Sequence, residues 1–395
     1  MKNTIIILIA FLFSVISCQN NDYIVIDTKS DSCTVLDLDP VFGQAVLSVK
    51  DIVDTMRVIA LETTSASILS YVDFVKISGE YVIINDNYQN GNIAIFDKTG
   101  KFIRRLPHGN GPEEIDYVRS FDVDDHYLYV LQLVKVNKYT LDGVFVESYP
   151  VVEMHDMCFN GIKAIDGGFL LSVHPCDSKM RKYEVLHTDS DFKKKNHFVF
   201  DHYFAGYRGG EDFMMLQNNV VFFPTLSNTI YQFDGKIFRP LYMLNYPKFA
   251  NTFEKNPNCS GDPDFVKTHC KINKYFPGGR IFQSSNVFFL LFEDGFKNFH
   301  VFLDSKSGKF RSGIFNLPKE DDISVWILSN FRVEYSFNDY LVQVLPPEYG
   351  SYFGNDLEES VSKLQHISDE DKKKILNAKD DDNPLIIMYK LKSIE

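Results

Sequence analysis

Short β-rich runs of hydrophobic residues recur along the chain, and each run directly follows a turn that contains Gly, Asn or Asp. These turn residues tolerate the positive φ angles that tight β-hairpins require. The runs begin at residues 81, 127, 169, 220, 287 and 340. A pattern that returns roughly every 40 to 70 residues predicts a structural unit that is repeated along the chain.

A second series of turns lies between these runs. In most copies an Asp begins the turn, a Gly takes the left-handed position, and an aromatic residue begins the outgoing strand. The copies lie at 96–102, 141–145, 188–193, 233–238 and 303–310. Each repeat therefore contains two hairpins, and four-stranded repeats of about 40 to 50 residues are typical of β-propeller blades.

The repeats predict an all-β fold, a six-bladed β-propeller of four-stranded antiparallel blades that spans residues 23–395. The widest spacing indicates an insertion at about 247–279, and a helix-like stretch, 356–378, interrupts the last blade. Residues 23–27 read as a strand without a hairpin partner of their own. Because an open ring would leave edge strands exposed, we predict that this strand completes the last blade and closes the ring.

The amino-terminal residues are typical of an export signal. Lys2 supplies the positive charge, and the apolar run Ile5–Ile16 follows it. This run is too short to span a bilayer as a helix, which needs about 20 apolar residues. We therefore expect the chain to be exported and its body to lie outside the membrane.

The end of this signal resembles a bacterial lipobox, with the sequence Val15-Ile16-Ser17-Cys18. The resemblance predicts that residues 1–17 are a signal peptide, that Cys18 carries acyl chains, and that residues 18–22 are a tether. Two or three acyl chains anchor a protein stably, whereas one does so only marginally. The alternative is a plain secretory signal that is cut near Ser17.

Charge and composition narrow the range of partners. The chain carries 41 Lys and Arg against 53 Asp and Glu, a formal net charge of −12. An acidic chain without a basic block gains little from counterion release on phosphates, so nucleic acid is not an expected partner. Hydrophobic residues make up 45%, which excludes general disorder. The 35 Phe and 21 Tyr favour strands over helices.

The chain has 6 cysteines, so acylation of Cys18 would leave an odd number of thiols. Cys158 and Cys176 lie on opposite arms of one predicted hairpin, and a disulfide or two buried thiols fits this position. Cys259 and Cys270 share the predicted insertion, where a disulfide would stiffen a segment with little core of its own. None of the spacings has the form of a zinc site.

Four segments carry a resemblance to a known family, namely Ile59–Thr64, Ile95–Phe102, Gly109–Glu114 and Asn383–Leu391. They resemble a family of six-bladed β-propeller lipoproteins that is common in gut Bacteroidetes and is itself similar to NHL-repeat propellers. That family usually has a glycine where this chain has Glu113. The resemblance implies the fold and export to the cell envelope, but it implies no activity.

In a propeller, the connections between blades and the loops between second and third strands lie on one face, where ligands usually meet the central channel. Gly109 and Gly111 could seat an anion on their N–H groups, or form a tight turn between blades. Arg208 and Arg280 could present guanidinium groups to an acidic ligand. His155 opens an inner strand, which gives it a conceivable place in the channel. These five residues are the predicted ligand contacts.

Metal and catalytic motifs give little support to an enzyme. Three acidic runs, 122–125, 320–322 and 380–382, are expected to be solvated surface, although channel Ca²⁺ with carboxylate ligands is conceivable on such a fold. The chain has no nucleophile elbow, HExxH helix or Walker loop. We therefore expect no resident metal or cofactor.

These observations favour a non-catalytic binding lipoprotein of the cell envelope. It would be anchored by lipid, at the outer membrane on its periplasmic or surface side, and its propeller face would bind a glycan, a peptide or an envelope protein. The alternative is a hydrolase or lyase that depends on a metal in the channel. Metal analysis of the purified protein would separate these two hypotheses.

Overall fold

Six β-sheets and three short helices make up the described fold. It was obtained as a computed structural model. The residues described are 23–26, 33–38, 45–86, 92–151, 158–174, 182–203, 212–224, 227–245, 276–293, 298–315, 333–350 and 356–394. Among them, no helix has the length and apolar character needed to cross a bilayer.

The amino-terminal part of the chain contributes four strands and one helix. They are β1 (Ile24–Ile26), β2 (Thr34–Asp37), β3 (Ala45–Val46), α1 (Val49–Ile52) and β4 (Val53–Ala60). The first three strands lie outside the six blades, and each pairs in parallel with the outermost strand of a different blade. We call β1, β2 and β3 the belt.

The first three blades follow in chain order, each with its innermost strand first. Blade one consists of β5 (Val72–Ser78), β6 (Tyr81–Asp86), β7 (Asn92–Asp97) and β8 (Phe102–Arg105). Blade two consists of β9 (Ser120–Val123), β10 (Tyr127–Leu131), β11 (Lys135–Thr140) and β12 (Phe145–Pro150). Blade three consists of β13 (Cys158–Ile165), β14 (Gly168–His174), β15 (Lys182–Thr188) and β16 (Lys194–Tyr203).

The other three blades repeat this order. Blade four consists of β17 (Phe213–Leu216), β18 (Asn219–Phe222), β19 (Thr229–Phe233) and β20 (Phe238–Asn245). Blade five consists of β21 (Phe276–Ser284), β22 (Val287–Glu293), β23 (Asn298–Asp304) and β24 (Phe310–Ile314). Blade six consists of β25 (Val333–Phe337), β26 (Tyr340–Leu345), β27 (Leu385–Leu391) and the early strand β4, and it also carries α2 (Leu357–Ser362) and α3 (Asp369–Asn377).

The predicted six-bladed propeller is confirmed, and so is the helical insertion in the last blade. The six hydrophobic runs are the second strands of the blades, and each begins at the predicted residue or one residue earlier. These strands are apolar on both faces because each blade packs against a neighbour on either side. In β6, for example, all residues after Tyr81 are buried. A strand buried on both faces shows a continuous apolar run instead of alternation.

A strand from the amino-terminal part closes the ring, but it is not the strand that the sequence predicted. β4 pairs with β27 from Leu385↔Ala60 to Leu391↔Val53. Residues 24–26 instead form β1, which joins blade three through Ile24↔Phe198. β4 forms a ladder along the whole of β27, whereas β1 provides only three paired residues, so β4 satisfies far more backbone groups at the last blade.

The belt follows the outer rim of the ring, joining blades three, four and five in turn. Leu38 and Leu47 point inward and are 5% and 9% exposed, whereas Val35 and Val46 point outward and are more than half exposed. The approach at blade five is close: a Cβ on Gly313 would lie 2.1 Å from the carbonyl oxygen of Ala45. Only glycine at this position allows the belt to reach the edge strand.

The outer edge of blade six is covered in a different way. The N–H of Met56 in β4 donates to the carbonyl oxygen of His366 at 2.7 Å, and Lys374 Nζ of α3 donates to the carbonyl oxygen of Val58 at 2.9 Å. Ser368 caps α3 by accepting from the N–H of Asp371. In the described part of the chain, only β8 and β12 are outer strands without a further strand or helix along their edge.

Candidate functional site

The direction of the strands defines two faces of the ring. The connections between blades and the loops between second and third strands lie on one face, which we call the connector face. The hairpins between first and second strands, and between third and fourth strands, lie on the other, which we call the hairpin face. Every innermost strand begins at the connector face and ends at the hairpin face.

Polar side chains gather where the innermost strands begin, around the mouth of the central channel. Asp73, Arg119, Asn160 and Asp212 stand at or just before the connector ends of four such strands, and all four are half-buried. Arg280 lies deeper on the innermost strand of blade five and is 7% exposed. We call these five the mouth residues. Their mixed charges and partial burial suit a ligand that offers both donors and acceptors.

The innermost strands are irregular at this same end. Register shifts fall between Val72 and Phe74, Phe159 and Gly161, Pro277 and Ile281, and Val333 and Tyr335. Such bulges occur often beside binding and catalytic sites, because the extra residue turns a side chain in a new direction. Asp73 and Asn160 are two of these extra residues. The bulges therefore place Asp73 and Asn160 at the connector ends of their innermost strands.

The connector face of blade two combines exposed apolar side chains with polar atoms that lack partners. The guanidinium of Arg119 lies 5.6 Å from the ring centre of Tyr117, which is 47% exposed. Leu133 and Val134 are more than half exposed in the next loop. Arg119 Nε and the buried Gln132 Nε2 find no hydrogen-bond partner among the described residues. A ligand that brings acceptor groups would satisfy both donors.

Blade one adds a buried amide at the same face. Asn85 is fully buried at the end of β6, and neither its Oδ1 nor its Nδ2 has a hydrogen-bond partner in the described part of the protein. By contrast, both carboxylate oxygens of the next residue, Asp86, have partners: Oδ1 accepts from the N–H groups of Ser70 and Tyr71, and Oδ2 lies 3.0 Å from Arg105 Nη1. An unsatisfied buried amide costs about 1–3 kcal/mol, so such a group in a native fold calls for a water or a ligand.

Blade three contacts blade four through a partly buried polar pair. Ser172 Oγ donates to Asp212 Oδ2, a mouth residue. A Cβ on Gly161 would lie 2.7 Å from Ser172 Oγ and 2.8 Å from Asp212 Oδ2. Glycine at this position therefore leaves room for the pair, which holds the Asp212 carboxylate at the channel mouth.

The glycine-rich loop between blades one and two binds one of its own side chains. The N–H of Gly111 donates to Glu114 Oε2 at 2.8 Å, and Gly109 has a φ of 150°, where a Cβ would lie 2.2 Å from the same oxygen. The N–H of Gly111, which was predicted to bind an anion, thus binds the Glu114 carboxylate. This geometry supports the alternative of a tight turn between blades, and a ligand role for the two glycines stays a prediction.

Three side chains on one face of β11 donate hydrogen bonds to the backbone of this loop. Lys135 Nζ donates to the carbonyl oxygens of Gly111 and Glu114 at 2.7 and 3.0 Å, and Asn137 Nδ2 donates to that of Glu114 at 3.2 Å. Tyr139 Oη donates to the carbonyl oxygen of Glu113 at 2.9 Å. Burial lowers the pKa of Lys135 and raises the pKa of Tyr139 to about 12. The sequence analysis did not predict these contacts. The spacing of two residues between the three side chains could have indicated them, because alternate residues of a strand lie on the same face.

A buried ionic cluster lies in the channel nearer the hairpin face. Asp122 on β9 is fully buried and lies 2.6 Å from Lys76 Nζ of blade one and 3.0 Å from Lys163 Nζ of blade three. Its Oδ2 also accepts from the N–H of Ala164 at 2.8 Å. Burial alone would raise the pKa of Asp122, but the ammonium groups of Lys163 and Lys76 outweigh it and hold this pKa below its ordinary value.

This cluster corrects one expectation from the sequence. Run 122–125 was expected to be solvated surface, and Asp125 is exposed, but Asp122 is buried between three blades. Asp124 fixes the hairpin by accepting from the N–H groups of His126 and Tyr127. The pattern could not show this, because both lysine partners lie on neighbouring blades.

Of the remaining predicted ligand contacts, only Arg280 lies among the described residues. Arg280 is buried, and its Nη1 donates to the carbonyl oxygen of Val333 at 3.3 Å, which links blades five and six. Arg208 and His155 lie outside the described residues, as does most of the predicted insertion 247–279. A ligand role for all three side chains stays a prediction.

Cysteine pairing also stays a prediction. Cys158 lies opposite His174 in its hairpin, because a bulge shifts the register between Phe159 and Gly161. Cys176, Cys259 and Cys270 lie outside the described residues, as does the lipid-bearing position predicted at Cys18. The thiol of Cys33 is free and half-buried.

In the described ranges, no three His, Cys, Asp or Glu side chains lie close enough together to form a metal site. The acidic run 380–382 lies after α3, with Asp380 and Asp381 exposed. Run 320–322 lies outside the described residues. The predicted absence of a resident metal stays a prediction.

Fold and site together define a six-bladed β-propeller with a polar channel mouth and a buried ionic cluster. The chain belongs to the family described as Domain of unknown function (DUF4934), whose sequence model matches residues 33–390. None of the curated proteins compared with the chain matches it.

Solved structures with similar folds include a candidate exported protein of Bacteroides fragilis, with a TM-score of 0.68 and 16% identity over 91% of this chain and 100% of that one. This likeness agrees with the fold. A protein of unknown function from Bacteroides caccae has a TM-score of 0.35 and 11% identity over 67% of this chain and 78% of that one. The Pan2 WD40 domain of Neurospora crassa has a TM-score of 0.38 and 10% identity over 63% and 66%.

Proposed function

We propose that the protein is an exported, lipid-anchored binding protein without catalytic activity, which holds a glycan or a peptide at the connector face. The observation that carries this proposal is the gathering of the mouth residues, with bulges at the same ends of the innermost strands. Long loops and strand ends on a rigid scaffold are the usual location of binding residues. The ring of blades supplies that scaffold.

The chemistry of the mouth indicates what kind of ligand fits. Asp73 and Asp212 are acidic, Arg119 and Arg280 are basic, and Asn160 is an amide. Mixed charges favour a ligand rich in hydroxyl or amide groups over a polyanion. The exposed rings of Tyr71 and Tyr117 nearby offer flat apolar surfaces beside these polar groups.

The anchor is the second part of this proposal, and it is supported by the lipobox-like sequence at residues 15–18. A chain with Cys18→Ser should lose labelling by radioactive palmitate and move from the membrane fraction to the soluble fraction. If it stays in the membrane fraction, the proposed lipid anchor is wrong.

Ligand binding can be tested with the full chain carrying Cys18→Ser on arrays of glycans and of peptides, followed by calorimetric titration of each hit. Arg119→Gln and Tyr117→Ala should each weaken the binding of a hit by about tenfold or more, as expected for contacts at the centre of a site. Arg239→Gln, an exposed arginine on the hairpin face, serves as the matched control and should leave the Kd within about twofold.

Two results would overturn the proposal. One is the absence of any saturable ligand on both arrays. The other is a ligand whose affinity changes with Arg239→Gln and not with Arg119→Gln, since that would place the site on the opposite face.

A further inference from the structure

A second concave site lies on the hairpin face, between blades five and six. It is an open groove with a volume of about 550 Å³. Its walls come from α1 and the start of β4, from the first hairpin and outer strand of blade five, and from the end of β27. The lining residues are Lys50, Asp51, Asp54, Ser285, Arg311, Lys390, Leu391, Lys392 and Ser393.

The groove is unusual in its charge. Four of its side chains are cationic, and two, Asp51 and Asp54, are acidic. The excess of positive charge stands out in a chain whose formal net charge is −12. Positive groups that converge in a concave site on an acidic protein mark a place where an anion is locally favoured.

Two of the cations are held in position by the backbone of α1. Lys392 Nζ donates to the carbonyl oxygen of Lys50 at 2.6 Å, and Arg311 Nη1 donates to that of Asp51 at 3.4 Å. Lys390 Nζ lies 3.4 Å from Asp339 Oδ2, an exposed pair that contributes little to stability. An arginine has five N–H donors and a lysine three, so these contacts leave donors that can face the groove.

We propose that this groove binds the oxyanion of a phosphate or sulfate ester. Guanidinium and ammonium donors form short, charge-assisted hydrogen bonds to such oxygens. Asp51 and Asp54 limit the site to a compact anionic group, because they would repel a long polyanion. The ester could belong to a lipid headgroup or to a soluble molecule, and both present the same chemistry to the groove.

This site is independent of the ligand proposed for the connector face, since the two lie on opposite faces of the ring. It has a structural consequence of its own. Lys50 and Asp51 belong to α1, which follows the belt, whereas Arg311 and Lys390 belong to blades five and six. An anion held between them would stabilise the docked position of the amino-terminal segment, since any ligand that binds only the folded state adds to stability.

The test uses the full chain with Cys18→Ser, and inorganic phosphate and sulfate as the probes. Calorimetry should show saturable binding of the anion with a Kd of about 1 mM or tighter. The Tm should rise with the anion concentration. The double variant Lys50→Glu/Lys390→Glu should weaken binding by about tenfold or more. Lys236→Glu, an exposed lysine on the hairpin face of blade four, is the control and should bind within about twofold of the parent.

A second arm separates the two sources of the ester. Vesicles of phosphatidylglycerol and phosphatidylcholine are compared with vesicles of phosphatidylcholine alone by co-sedimentation. Binding to the anionic vesicles that is lost in the double variant indicates a lipid headgroup. Binding of free phosphate or sulfate without vesicle binding indicates a soluble ester.

The proposal is overturned if neither the free anions nor the anionic vesicles bind saturably, or if Lys236→Glu weakens binding as much as the double variant does. The latter result would mean that only the overall charge matters. Urea unfolding of each variant without anion shows whether the fold is retained, and Lys50→Glu alone, at an exposed position, gives a second reading if the double variant does not fold.

Discussion

Blades one, two and three are joined close to the channel axis, whereas blades three, four and five are joined at the outer rim. In the first region, Lys76, Asp122 and Lys163 link three consecutive blades through buried charges. In the second, the belt adds a parallel strand to the outer edge of each blade. The two regions use the same four-stranded unit but different means of holding it in place.

The hydrophobic core is also organised differently around the ring. Around blades one and two, each interface between blades has its own separate cluster of buried side chains. Around blades four, five and six, a single continuous cluster includes Leu38 and Leu47 beside the belt and Val53 at the start of β4. The amino-terminal segment therefore adds Leu38, Leu47 and Val53 to this merged core, whereas Ile26 of β1 belongs to a separate cluster between blades three and four.

This difference shows two solutions to one problem. A propeller blade exposes the edge of its outermost strand, and an exposed edge can pair with other chains. The belt covers three such edges, and α3 covers part of a fourth. Within the described ranges β8 and β12 have no covering strand or helix, but they carry bulges opposite Ile95–Phe96 and Lys138–Tyr139, as protected edge strands often do.

The largest effect is expected from the buried charges. Asp122→Asn removes the carboxylate charge and leaves Lys76 and Lys163 buried without it, which should lower the free energy of unfolding by about 3–5 kcal/mol. Urea denaturation at neutral pH measures this change. Asp125→Asn, an exposed neighbour on the same hairpin, should change it by less than about 0.5 kcal/mol.

The same carboxylate predicts a dependence on acid. Because the folded state holds the pKa of Asp122 below the ordinary value of 3.8, its stabilising contribution is present above that value. It is lost as the pH falls through the lower pKa of the folded state. If Asp122→Asn proves as stable as the parent at neutral pH, the axis does not hold blades one to three together.

A smaller effect is expected from the belt. Leu38→Ala removes a side chain that is 5% exposed and part of the merged core, and should lower the free energy of unfolding by about 2–3 kcal/mol. Val35→Ala, at a position that is 51% exposed in the preceding strand β2, should cost less than about 0.5 kcal/mol. Equal effects in urea denaturation would contradict an inward packing of the belt.

A buried histidine beside the merged core makes stability depend on pH. His300 is 1% exposed between the rings of Phe289 and Phe315, and burial lowers its pKa to about 3. Below its ordinary value of 6.5, the unfolded chain takes up a proton that the folded chain excludes. His300 should therefore lower the free energy of unfolding by about 1.4 kcal/mol for each pH unit as the pH drops from 6.5 towards 3.

Replacing this side chain tests the sign of that effect. His300→Phe should reduce the loss of stability between pH 7 and about pH 4, measured as the Tm at each pH. His126→Phe, at an exposed position of blade two, is the control and should follow the parent. A steeper loss in His300→Phe than in the parent would show that the buried ring stabilises the folded state when protonated.

Much of the fold could be predicted because each blade is built from local hairpins. The turns at Gly79-Glu80 and Gly167-Gly168 are followed by apolar strands, and both pairings depend on residues close in sequence. Less of the site could be predicted. Asn85 and Arg119 look like ordinary strand-end residues in the sequence, and only the packing of two blades leaves the amide of Asn85 and the Nε of Arg119 without hydrogen-bond partners among the described residues.

The sequence by itself determined the number of repeats, the four strands in most of them and the need for an early strand to close the ring. The first two depend on turns and apolar runs that are close in sequence, and the third on the exposed strand edges that an open ring would leave. Only the tertiary structure decided that β1 joins blade three, that β4 completes blade six and that Asp122 meets two lysines. Several outer edges offer the same backbone donors and acceptors to an incoming strand, so the choice among them depends on contacts between residues far apart in the chain, such as Ile24 and Phe198.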